Sequence, residues 1–493
     1  MIKIDFIKEE STYPANDIGI SKLFIDSFKD QLLFCKDSGC WYVWNGKYWE
    51  KDTKDGGIRN EMIKLLARYC NNHIMTSPDI LDSSREKLIK IYSKLFNKNY
   101  RDTIIRDAMS IAPVKDSKFD NNIYLFNCQN GTYDFSTNTF KDFDREDYIT
   151  NISNVYYDTS ADCPRFKQYL DEVMEGKKDK IDYLMKMAAY GYTGNVNRDC
   201  FFIFYGSKTR NGKSTFVGIN TYMLGTYAGT LKPATVTRKQ INNGGSNATP
   251  DLASVKNARW VTISEIENGM MLDISLIKTM TGRNELKARN LYENEITFKP
   301  KFKLYFDTNF LPKMTDDTIF QSDRIHLIEF TRHFELEERD FNLMEKLQQE
   351  APGIFNLIIE YYKKLETESF VIPQESQDTL TRYRLNSNNI LAFKTAKLFD
   401  DKKSYIKSSK LYDLYKEWCE EEELKFLSKK NFKEEMIKNG AVYTDKESHK
   451  NEDGYFENTY WVKGFSLSNN QKNVNQNEQQ ELIPLENNED LPF

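Results

Sequence analysis

Runs of residues that are apolar on both faces recur through the middle of the chain. The clearest runs are FFIFYG, WVTISE and KLYFDTN, at residues 201–206, 260–265 and 303–309. Strands of a parallel sheet have this pattern because helices cover both of its faces. The sequence therefore predicts a central parallel α/β sheet, and ligands of such sheets bind at the carboxyl ends of the strands.

Shorter periodic segments precede this region. Asn45–Gly46 within CWYVWNGKYW predicts a hairpin, and apolar residues at three- and four-residue spacing predict helices over 58–112, with Ser83 and Ser84 as candidate caps. Strands are expected near residues 123–126, before a turn at Asn130–Gly131. A second helical stretch is expected to open at Cys163–Pro164.

The carboxy-terminal part shows a different order of elements. Helices are expected over 340–400, an amphipathic helix over 404–419, a second helix capped by Ser428, and then a hairpin. Helix, helix and hairpin form an arrangement that reads DNA, in which phosphates are contacted by Lys429, Lys430 and Lys433. The alternative is that these lysines only solvate a helix. After Ser466 the chain is polar and is expected to be disordered.

Composition narrows the possible classes of protein. The chain has 493 residues, which predicts about three domains, and its 39% hydrophobic and 29% charged residues are typical of globular proteins. The formal net charge of −5 excludes a general polycation, so any nucleic-acid site must be a local patch. Seven scattered cysteines predict neither a disulfide framework nor a zinc site. With no long apolar run, we expect a soluble cytoplasmic protein with no membrane partner.

A glycine-flanked loop follows the first apolar run and leads into a helix-compatible segment. Its candidate nucleotide-binding residues are Gly206, Ser207, Asn211, Gly212, Lys213, Ser214 and Thr215. Backbone amides of such a loop cradle phosphate oxygens, Lys213 neutralises the phosphates, and Ser214 ligates magnesium. The loop has five residues between its glycines, one more than is usual, so it either bulges or uses Ser207 as the first glycine's equivalent. We predict a site for ATP and Mg²⁺.

Polar residues at the ends of the next two runs complete this predicted site. Glu265 and Glu267 lie at alternate positions, and therefore on one side if the strand continues, where a carboxylate holds magnesium and polarises the attacking water. Glu265 is the candidate metal ligand of the pair. Asn309 is placed to orient water near the γ phosphate, although such a residue is also a common turn cap.

Arg324 precedes a last apolar strand, in QSDRIHLIEF. It either forms a salt bridge with Asp323 or Glu329, or acts as an arginine finger on a nucleotide of an adjacent subunit. Its position in the sequence leaves both alternatives open.

A second hairpin is predicted in LKARNLYENEITFKPK. Its candidate DNA-binding residues are Lys287, Arg289, Tyr292, Lys299 and Lys301. Cations of this kind track a nucleic-acid backbone, and rings stack on bases. The alternative is a solvated hairpin whose lysines serve solubility.

The order of these motifs resembles the superfamily 3 helicase core of phage, plasmid and satellite replication proteins. More narrowly, the chain is similar to the phage and plasmid primase-helicases related to the poxvirus helicase-primase, over about residues 120–465, with NGTYDF and CPRF matching the region before the helicase core. The resemblance implies a homo-hexameric AAA+ ring that hydrolyses ATP between subunits and translocates on single-stranded DNA. It assigns Lys213 and Ser214 or Thr215 to phosphate and magnesium, Glu265 and Glu267 to the acidic motif, Asn309 to the sensor and Arg324 to the finger in trans.

The fold implied is an AAA+-like parallel-sheet core with added domains. We expect an α+β domain over 1–155, a helical collar over 160–198, the ATPase core over 199–345, a helical extension over 346–400, a winged helix that binds double-stranded origin DNA over 401–467, and a tail over 468–493. The tail's tip resembles that of bacterial single-stranded DNA-binding proteins. Its candidate contacts with host replication or repair proteins are Asp490, Leu491, Pro492 and Phe493.

Three functions are compatible with these observations. A replicative helicase and initiator of a mobile element is favoured by the order of the motifs. A primase fused to the motor would need more chain than the roughly 195 residues before the loop. A non-enzymatic origin-binding protein would have no need to keep Lys213, the acidic pair and Arg324.

Overall fold

The computed structural model describes residues 13–52, 57–78, 80–111, 113–238, 249–289, 295–314, 316–422, 424–450 and 455–467. The chain divides into two compact units, Met1–Leu380 and Thr381–Phe493. No helix in the described ranges combines the length and the apolar character needed to cross a bilayer.

The first unit begins with a small sheet packed among helices. Its elements are α1 (Asp17–Phe28), β1 (Leu32–Cys35), β2 (Cys40–Trp44), β3 (Trp49–Lys51), α2 (Gly57–Thr76), α3 (Asp82–Ser93), α4 (Lys98–Ala108) and β4 (Pro113–Val114). The sheet order is β3-β2-β1-β4. Gly46 adopts a φ of +95° between β2 and β3, which confirms the predicted hairpin. Ser83 and Ser84 are not caps: Leu81 occupies the N-cap position and both serines lie inside α3.

A three-stranded meander and two helices follow. They are β5 (Leu125–Cys128), β6 (Gly131–Asp134), β7 (Thr139–Lys141), α5 (Pro164–Val173) and α6 (Lys178–Tyr190). The predicted strands, the turn at Asn130–Gly131 and the start of a helix at Cys163–Pro164 are confirmed. Phe126 of β5 stacks on Phe355, with ring centroids 5.1 Å apart. The meander therefore shares its core with the helices that follow the central sheet.

The central sheet of the first unit is parallel throughout, as the apolar runs predict. Its strands and the intervening elements are β8 (Phe201–Tyr205), α7 (Lys213–Leu224), β9 (Ala228–Thr230), α8 (Pro233–Val236), α9 (Pro250–Ser254), β10 (Trp260–Ser264), α10 (Ile274–Thr281), β11 (Leu286–Ala288), β12 (Ile296–Phe298), β13 (Lys303–Thr308), α11 (Thr318–Gln321) and β14 (Ile325–Glu329). The strand order is β14-β8-β13-β10-β9. The glycine-flanked loop thus leaves an interior strand, with β13 and β10 on one side and β14 on the other.

Large rings fill the face of the sheet that α6 covers. Trp260 of β10 stacks on Tyr305 of β13, with centroids 3.4 Å apart. A Cβ atom at Gly191, just after α6, would lie 2.6 Å from the Tyr305 hydroxyl and 2.7 Å from the Trp260 ring. Only glycine allows this close approach of backbone to rings.

Four helices follow the sheet and lead into the second unit. They are α12 (Leu343–Gln349), α13 (Ala351–Thr367), α14 (Gln374–Ser387) and α15 (Asn389–Lys397). The carboxylate of Glu350, between α12 and α13, accepts hydrogen bonds from the backbone amides of Arg165 and Phe166 at 2.9 and 2.8 Å. Because the first amides of a helix have no partner within it, Glu350 caps α5 across a large separation in sequence.

The second unit combines helices with a three-stranded antiparallel sheet. After α15 come β15 (Leu398–Lys407), α16 (Ser408–Glu421), α17 (Lys429–Lys438), β16 (Val442–Lys450) and β17 (Phe456–Leu467), with sheet order β15-β17-β16. The expected helix over 404–419 is wrong in its first turn, because residues up to Lys407 pair with β17. Ser428 caps α17 as predicted, since its hydroxyl accepts from the Asn431 amide at 3.3 Å.

His326 of β14 makes the stability of the first unit depend on pH. The buried imidazole lies 2.9 Å from the Tyr183 hydroxyl, and burial, with a smaller contribution from Arg198, lowers the pKa of His326 to about 4. The unfolded chain gains this proton near pH 6.5, so the full stability is present above that pH and is lost as the pH falls toward 4. We expect His326 to account for a loss of about 3 kcal/mol over this interval.

Urea unfolding at several pH values checks this expectation. His326→Phe combined with Tyr183→Phe keeps the aromatic packing and leaves no hydroxyl without its partner. The free energy of unfolding of this variant should decline less steeply between pH 6.5 and 4 than that of the natural chain. Equal slopes would contradict the assignment.

Candidate nucleotide site

The glycine-flanked loop crosses the carboxyl end of β8 and ends where α7 begins. Gly212 is the N-cap of α7, with a φ of +84°, and a Cβ atom there would lie 2.4 Å from the Val173 side chain. The Tyr169 hydroxyl donates to the Gly212 carbonyl at 2.7 Å. These contacts fix the start of α7, whose first amides are a favourable place for an anion.

Asn211 holds the loop from inside. Its buried amide nitrogen donates to the carbonyls of Lys208 and Phe330 at 2.8 and 3.4 Å, and its oxygen accepts from the Lys213 amide at 3.2 Å. A Cβ atom at Gly206 would lie 2.1 Å from the Asn211 amide nitrogen. The space above Gly206 is therefore taken by Asn211, which favours Gly206 over Ser207 as the first glycine of the loop.

The additional residue of the loop is accommodated by the segment after β14. Arg210 adopts a φ of +58°, and its carbonyl accepts from the Phe334 amide at 3.0 Å. The His333 ring nitrogen Nδ1 lies 2.8 Å from the Thr209 carbonyl oxygen, where it donates as an N–H. Residues 333–334 thus support the outward bend of the loop.

Lys213 is buried and already has two partners from the end of β13. Its ammonium lies 2.8 Å from Asp307 Oδ1 and 2.9 Å from Asn309 Oδ1, with 4% of the residue exposed. Burial lowers the pKa of Lys213, and the Asp307 carboxylate opposes that shift. The structure therefore brings Asn309 to Lys213, as the predicted site requires.

Asp307 is a residue of this site that sequence reasoning missed. It was visible as the first polar residue at the end of the KLYFDTN run, but its role depends on register. Asp307 lies opposite Phe204 of β8, one strand away from the loop. Asp307 is identified as a site residue by its contact with the buried ammonium of Lys213.

The acidic pair lies beyond a strand that ends earlier than expected. β10 stops at Ser264, which is opposite Asp307, so the alternation that would place Glu265 and Glu267 on one side of a strand does not apply. Ile266 between them is buried, while both glutamates are exposed. Glu265 has a φ of +62°, a strained backbone conformation that clusters at functional sites.

The donors around the loop fit a magnesium nucleotide. Ser214 is exposed in the first turn of α7, Thr215 beside it is half-buried, and Ser207 is exposed in the loop. In the described part of the chain no three His, Cys, Asp or Glu side chains cluster to cage a metal. Magnesium commonly takes few protein ligands and completes its shell with phosphate and water, and the hydroxyl of Ser214 and the carboxylate of Glu265 are oxygen donors of the kind it prefers.

Arg324 lies at the opposite end of the strands from the loop, where β8 and β14 begin. Its carbonyl accepts from the Phe201 amide at 2.8 Å, at the start of β8, whereas the loop follows Tyr205 at the other end. The five residues of β8 separate the Arg324 end of the strand from the loop end, a distance of roughly 16 Å. The guanidinium donates to Asp199 Oδ2 at 3.1 Å and to Thr281 Oγ1 at 3.3 Å. The salt-bridge partner is thus Asp199, and not Asp323 or Glu329.

The candidate DNA hairpin is formed by β11 and β12. Lys287 is exposed and lies 3.2 Å from Glu295, and Arg289 and Lys299 are also exposed. Lys301 is a correction: its ammonium donates to the Asp120 carbonyl at 2.6 Å, and burial lowers its pKa. Its ammonium is therefore bound within the protein and does not join the exposed cations of the hairpin. Tyr292 lies outside the described residues.

In the second unit, Lys429, Lys430 and Lys433 are exposed on α17. The hairpin of β16 and β17 adds an exposed face with three cross-strand pairs, which are Lys446 with Tyr460, Ser448 with Asn458 and Lys450 with Phe456. We call these six residues the wing face.

The four predicted tail contacts, Asp490 to Phe493, lie outside the described residues and stay a prediction.

Three family models match the chain. They are D5 N terminal like over 21–175, a family of unknown function (DUF5906) over 204–324, and Poxvirus D5 protein-like over 385–481. The D5-type matches reach further toward both ends than the expected range of 120–465. Matches to D5-type models near both ends of the chain, together with the relatives below, confirm the predicted resemblance to the poxvirus D5-like primase-helicase family.

Relatives come from a mimivirus, an invertebrate iridescent virus and a virophage. The protein named "Putative helicase L207/L206" of Acanthamoeba polyphaga mimivirus is 25% identical over 420 residues, covering 78% of this chain and 43% of the relative. "Putative helicase 121R" of Invertebrate iridescent virus 3 is 23% identical, covering 77% and 47%. "Putative helicase V13" of Sputnik virophage is 24% identical, covering 69% and 45%. The chain spans less than half the length of these relatives.

Among solved structures, the apo structure of the NrS-1 C terminal region (305-718) is similar at a TM-score of 0.47 and 10% identity. The alignment covers 86% of this chain and 87% of that one. The A form apo structure of the same region gives a TM-score of 0.44 at 12% identity, with 87% and 88% covered.

Asn211→Ala should weaken nucleotide binding without removing Lys213. The change deprives the Phe330 carbonyl and the Lys213 amide of their partners, and each such loss costs on the order of 1 kcal/mol. We expect an affinity for fluorescently labelled ATP about tenfold lower in equilibrium titration. Asn342→Ala, at an exposed position before α12, is the matched control. An unchanged affinity would contradict the role given to Asn211.

Proposed function

We propose that the chain is an ATP-dependent DNA helicase of superfamily 3, which acts in the replication of a phage, plasmid or satellite element. The observation that carries this proposal is the environment of Lys213. A buried lysine at the start of α7, after a loop that only glycines permit, meets a carboxylate and an amide from the neighbouring strand. This combination suits the binding and hydrolysis of a nucleoside triphosphate. The names of the relatives support the same class.

Each residue of the site has a separate task. Lys213 exchanges its contact with Asp307 for the β and γ phosphates, and the amides at the start of α7 hold the remaining oxygens. Glu265 and Glu267 hold and polarise the attacking water, and Asn309 orients it. Magnesium, when bound by Ser214 or Thr215 and by Glu265, supplies positive charge that stabilises the transferring phosphoryl group.

Arg324 supports an assembly of several copies. Its distance from the loop of its own chain prevents it from reaching the phosphates bound there. A ring in which the Arg324 edge of one copy meets the loop edge of the next provides the missing charge in trans. We propose a homo-hexamer with an AAA+-type core, preceded by a helical collar and with the domain limits given by the sequence.

Local cations support nucleic-acid binding by an acidic chain. Lys287, Arg289 and Lys299 surround the β11–β12 hairpin, and six copies facing a pore would line a positive channel for single-stranded DNA. In the second unit the order of helices and strands is compatible with a winged helix. Lys429, Lys430, Lys433 and the wing face are the surfaces proposed to bind duplex origin DNA.

Lys213→Ala tests the motor. Removal of the ammonium should abolish DNA-stimulated ATP hydrolysis, a loss of at least 100-fold in kcat, because the phosphate charge is left unpaired in a buried site. Phosphate release and strand displacement on tailed substrates are the measurements. Lys363→Ala, at an exposed position in α13, is the control. Equal rates for Lys213→Ala and the natural chain would exclude an ATP-driven helicase.

Lys299→Glu tests the hairpin. The reversed charge should weaken single-stranded DNA binding about tenfold and reduce the slope of log affinity against log salt by about one, because one phosphate contact is lost. Fluorescence anisotropy across a salt series measures both quantities. Lys363→Glu makes the same change in net charge away from the hairpin. If the two variants bind DNA equally well, the hairpin is not the DNA contact.

A further inference from the structure

A second arginine accompanies Arg324 at its edge of the sheet. Asp199, just before β8, lies 3.1 Å from Arg324 Nη2 through Oδ2 and 3.9 Å from Arg283 Nε through Oδ1. Arg283 follows α10, and its Nη2 donates to the Asn197 carbonyl at 3.0 Å. One carboxylate thus lies between two guanidinium groups that come from distant parts of the sequence.

The ion pairs leave this cluster incomplete. Asp199 Oδ1 is buried and makes no hydrogen bond in the described structure, because the distance to Arg283 is too long for one. The Arg283 side chain is 72% exposed, whereas that of Arg324 is 22% exposed. Arg324 is therefore held firmly by Asp199, and Arg283 is held loosely with its donors turned largely to solvent.

The cluster borders an open cavity of about 550 Å³. The charged residues of its lining are Asp199, Lys278, Arg283 and Arg324. Lys278 is already paired with Asp316 at 2.6 Å, which leaves two guanidiniums against the single charge of Asp199. The excess of positive charge favours an anion, and the planar forks of arginine match phosphate oxygens two at a time.

We propose that Arg283 and Arg324, positioned by Asp199, form a site for the terminal phosphate of a nucleoside triphosphate bound to the loop of a second copy of this chain. This inference rests on the proposed function and adds a second catalytic arginine and a positioning residue to it. The phosphate must come from another copy, because the loop of the same chain lies at the other edge of the sheet. Without the nucleotide, Asp199 contacts both arginines. The phosphate bound to the neighbouring copy then takes the place of Asp199 at Arg283, where the contact is weaker.

Steady-state ATP hydrolysis by the full chain with single-stranded DNA tests Arg283. Arg283→Ala should lower kcat about 10- to 100-fold and leave KM within about twofold, since the loop that binds the nucleotide is intact while charge in the transition state is lost. Arg106→Ala, at an exposed position of α4, is the matched control. Arg283→Lys should recover only part of kcat, because an ammonium cannot bind two oxygens in the geometry of a guanidinium.

Mixing two impaired variants tests whether the site acts in trans. Lys213→Ala retains the arginine site, and Arg283→Ala retains the loop, so an interface between them joins one intact half from each. The mixture should hydrolyse ATP faster than the average of the two variants alone. A mixture of Lys213→Ala with Arg324→Ala serves as the reference for exchange between copies.

The outcomes separate this inference from the proposed function. If the natural chain does not hydrolyse ATP, the proposed function itself is wrong. If the natural chain is active and Arg283→Ala has the same kcat, the second arginine is wrong and the motor stands. If the reference mixture gains activity and the Arg283→Ala mixture does not, Arg283 acts within its own chain, which also overturns the inference.

Asp199 has its own test. Asp199→Asn should lower kcat more than it raises KM, and Asp199→Glu should restore part of kcat, because a carboxylate again orients the arginines. Equal losses for the two variants would exclude positioning by charge. Thermal unfolding of each variant separates these effects from misfolding, and the Arg283 measurements decide the proposal if Asp199→Asn does not fold.

Discussion

The buried ammonium of Lys213 is the constraint on which the candidate site depends. A lysine this far from water needs a negative or polar partner, because an unpaired buried charge costs several kcal/mol. Asp307 and Asn309 provide the partners, and both lie at the end of β13, directly beside the strand that carries the loop. The order of the strands therefore decides which residues can meet Lys213. A triphosphate bound at the proposed site would have to replace contacts that the folded chain already makes.

The same sheet explains why the loop tolerates an additional residue. Asn211 ties the loop to Phe330, and residues 333–334 support the carbonyls of Thr209 and Arg210. All three supports come from the end of β14 or from the segment that follows it. A longer loop is thus held by a neighbouring strand and not by its own sequence, which is why local spacing left Gly206 and Ser207 as alternatives.

Signals within one segment of the sequence predicted the strands and the loop. Features that depend on the pairing of distant segments could not be predicted. Burial on both faces identified β8, β10 and β13, and the residues after Gly206 identified the loop, because each signal lies within one segment. The pairing of β15 with β17 involves residues about 60 positions apart, so residues 404–407 were expected to be helical. Asp307 and Asp199 were missed for the same reason: each has its partner on another element, and only the folded topology brings the two together.

Strand β14 runs between the arginine cluster at one end of the sheet and the glycine-flanked loop at the other. Arg324, just before the start of β14, lies beside Asp199. The chain after the end of β14 contains Phe330 and His333, which contact the glycine-flanked loop of the same chain. β14 is paired with β8 along its whole length, so its hydrogen bonds fix its position in the sheet. In the proposed ring, a shift of the loop on nucleotide binding would therefore be transmitted through β14 to Arg324, at the interface with the next copy. Hydrolysis at one interface would in this way influence the arrangement of the next.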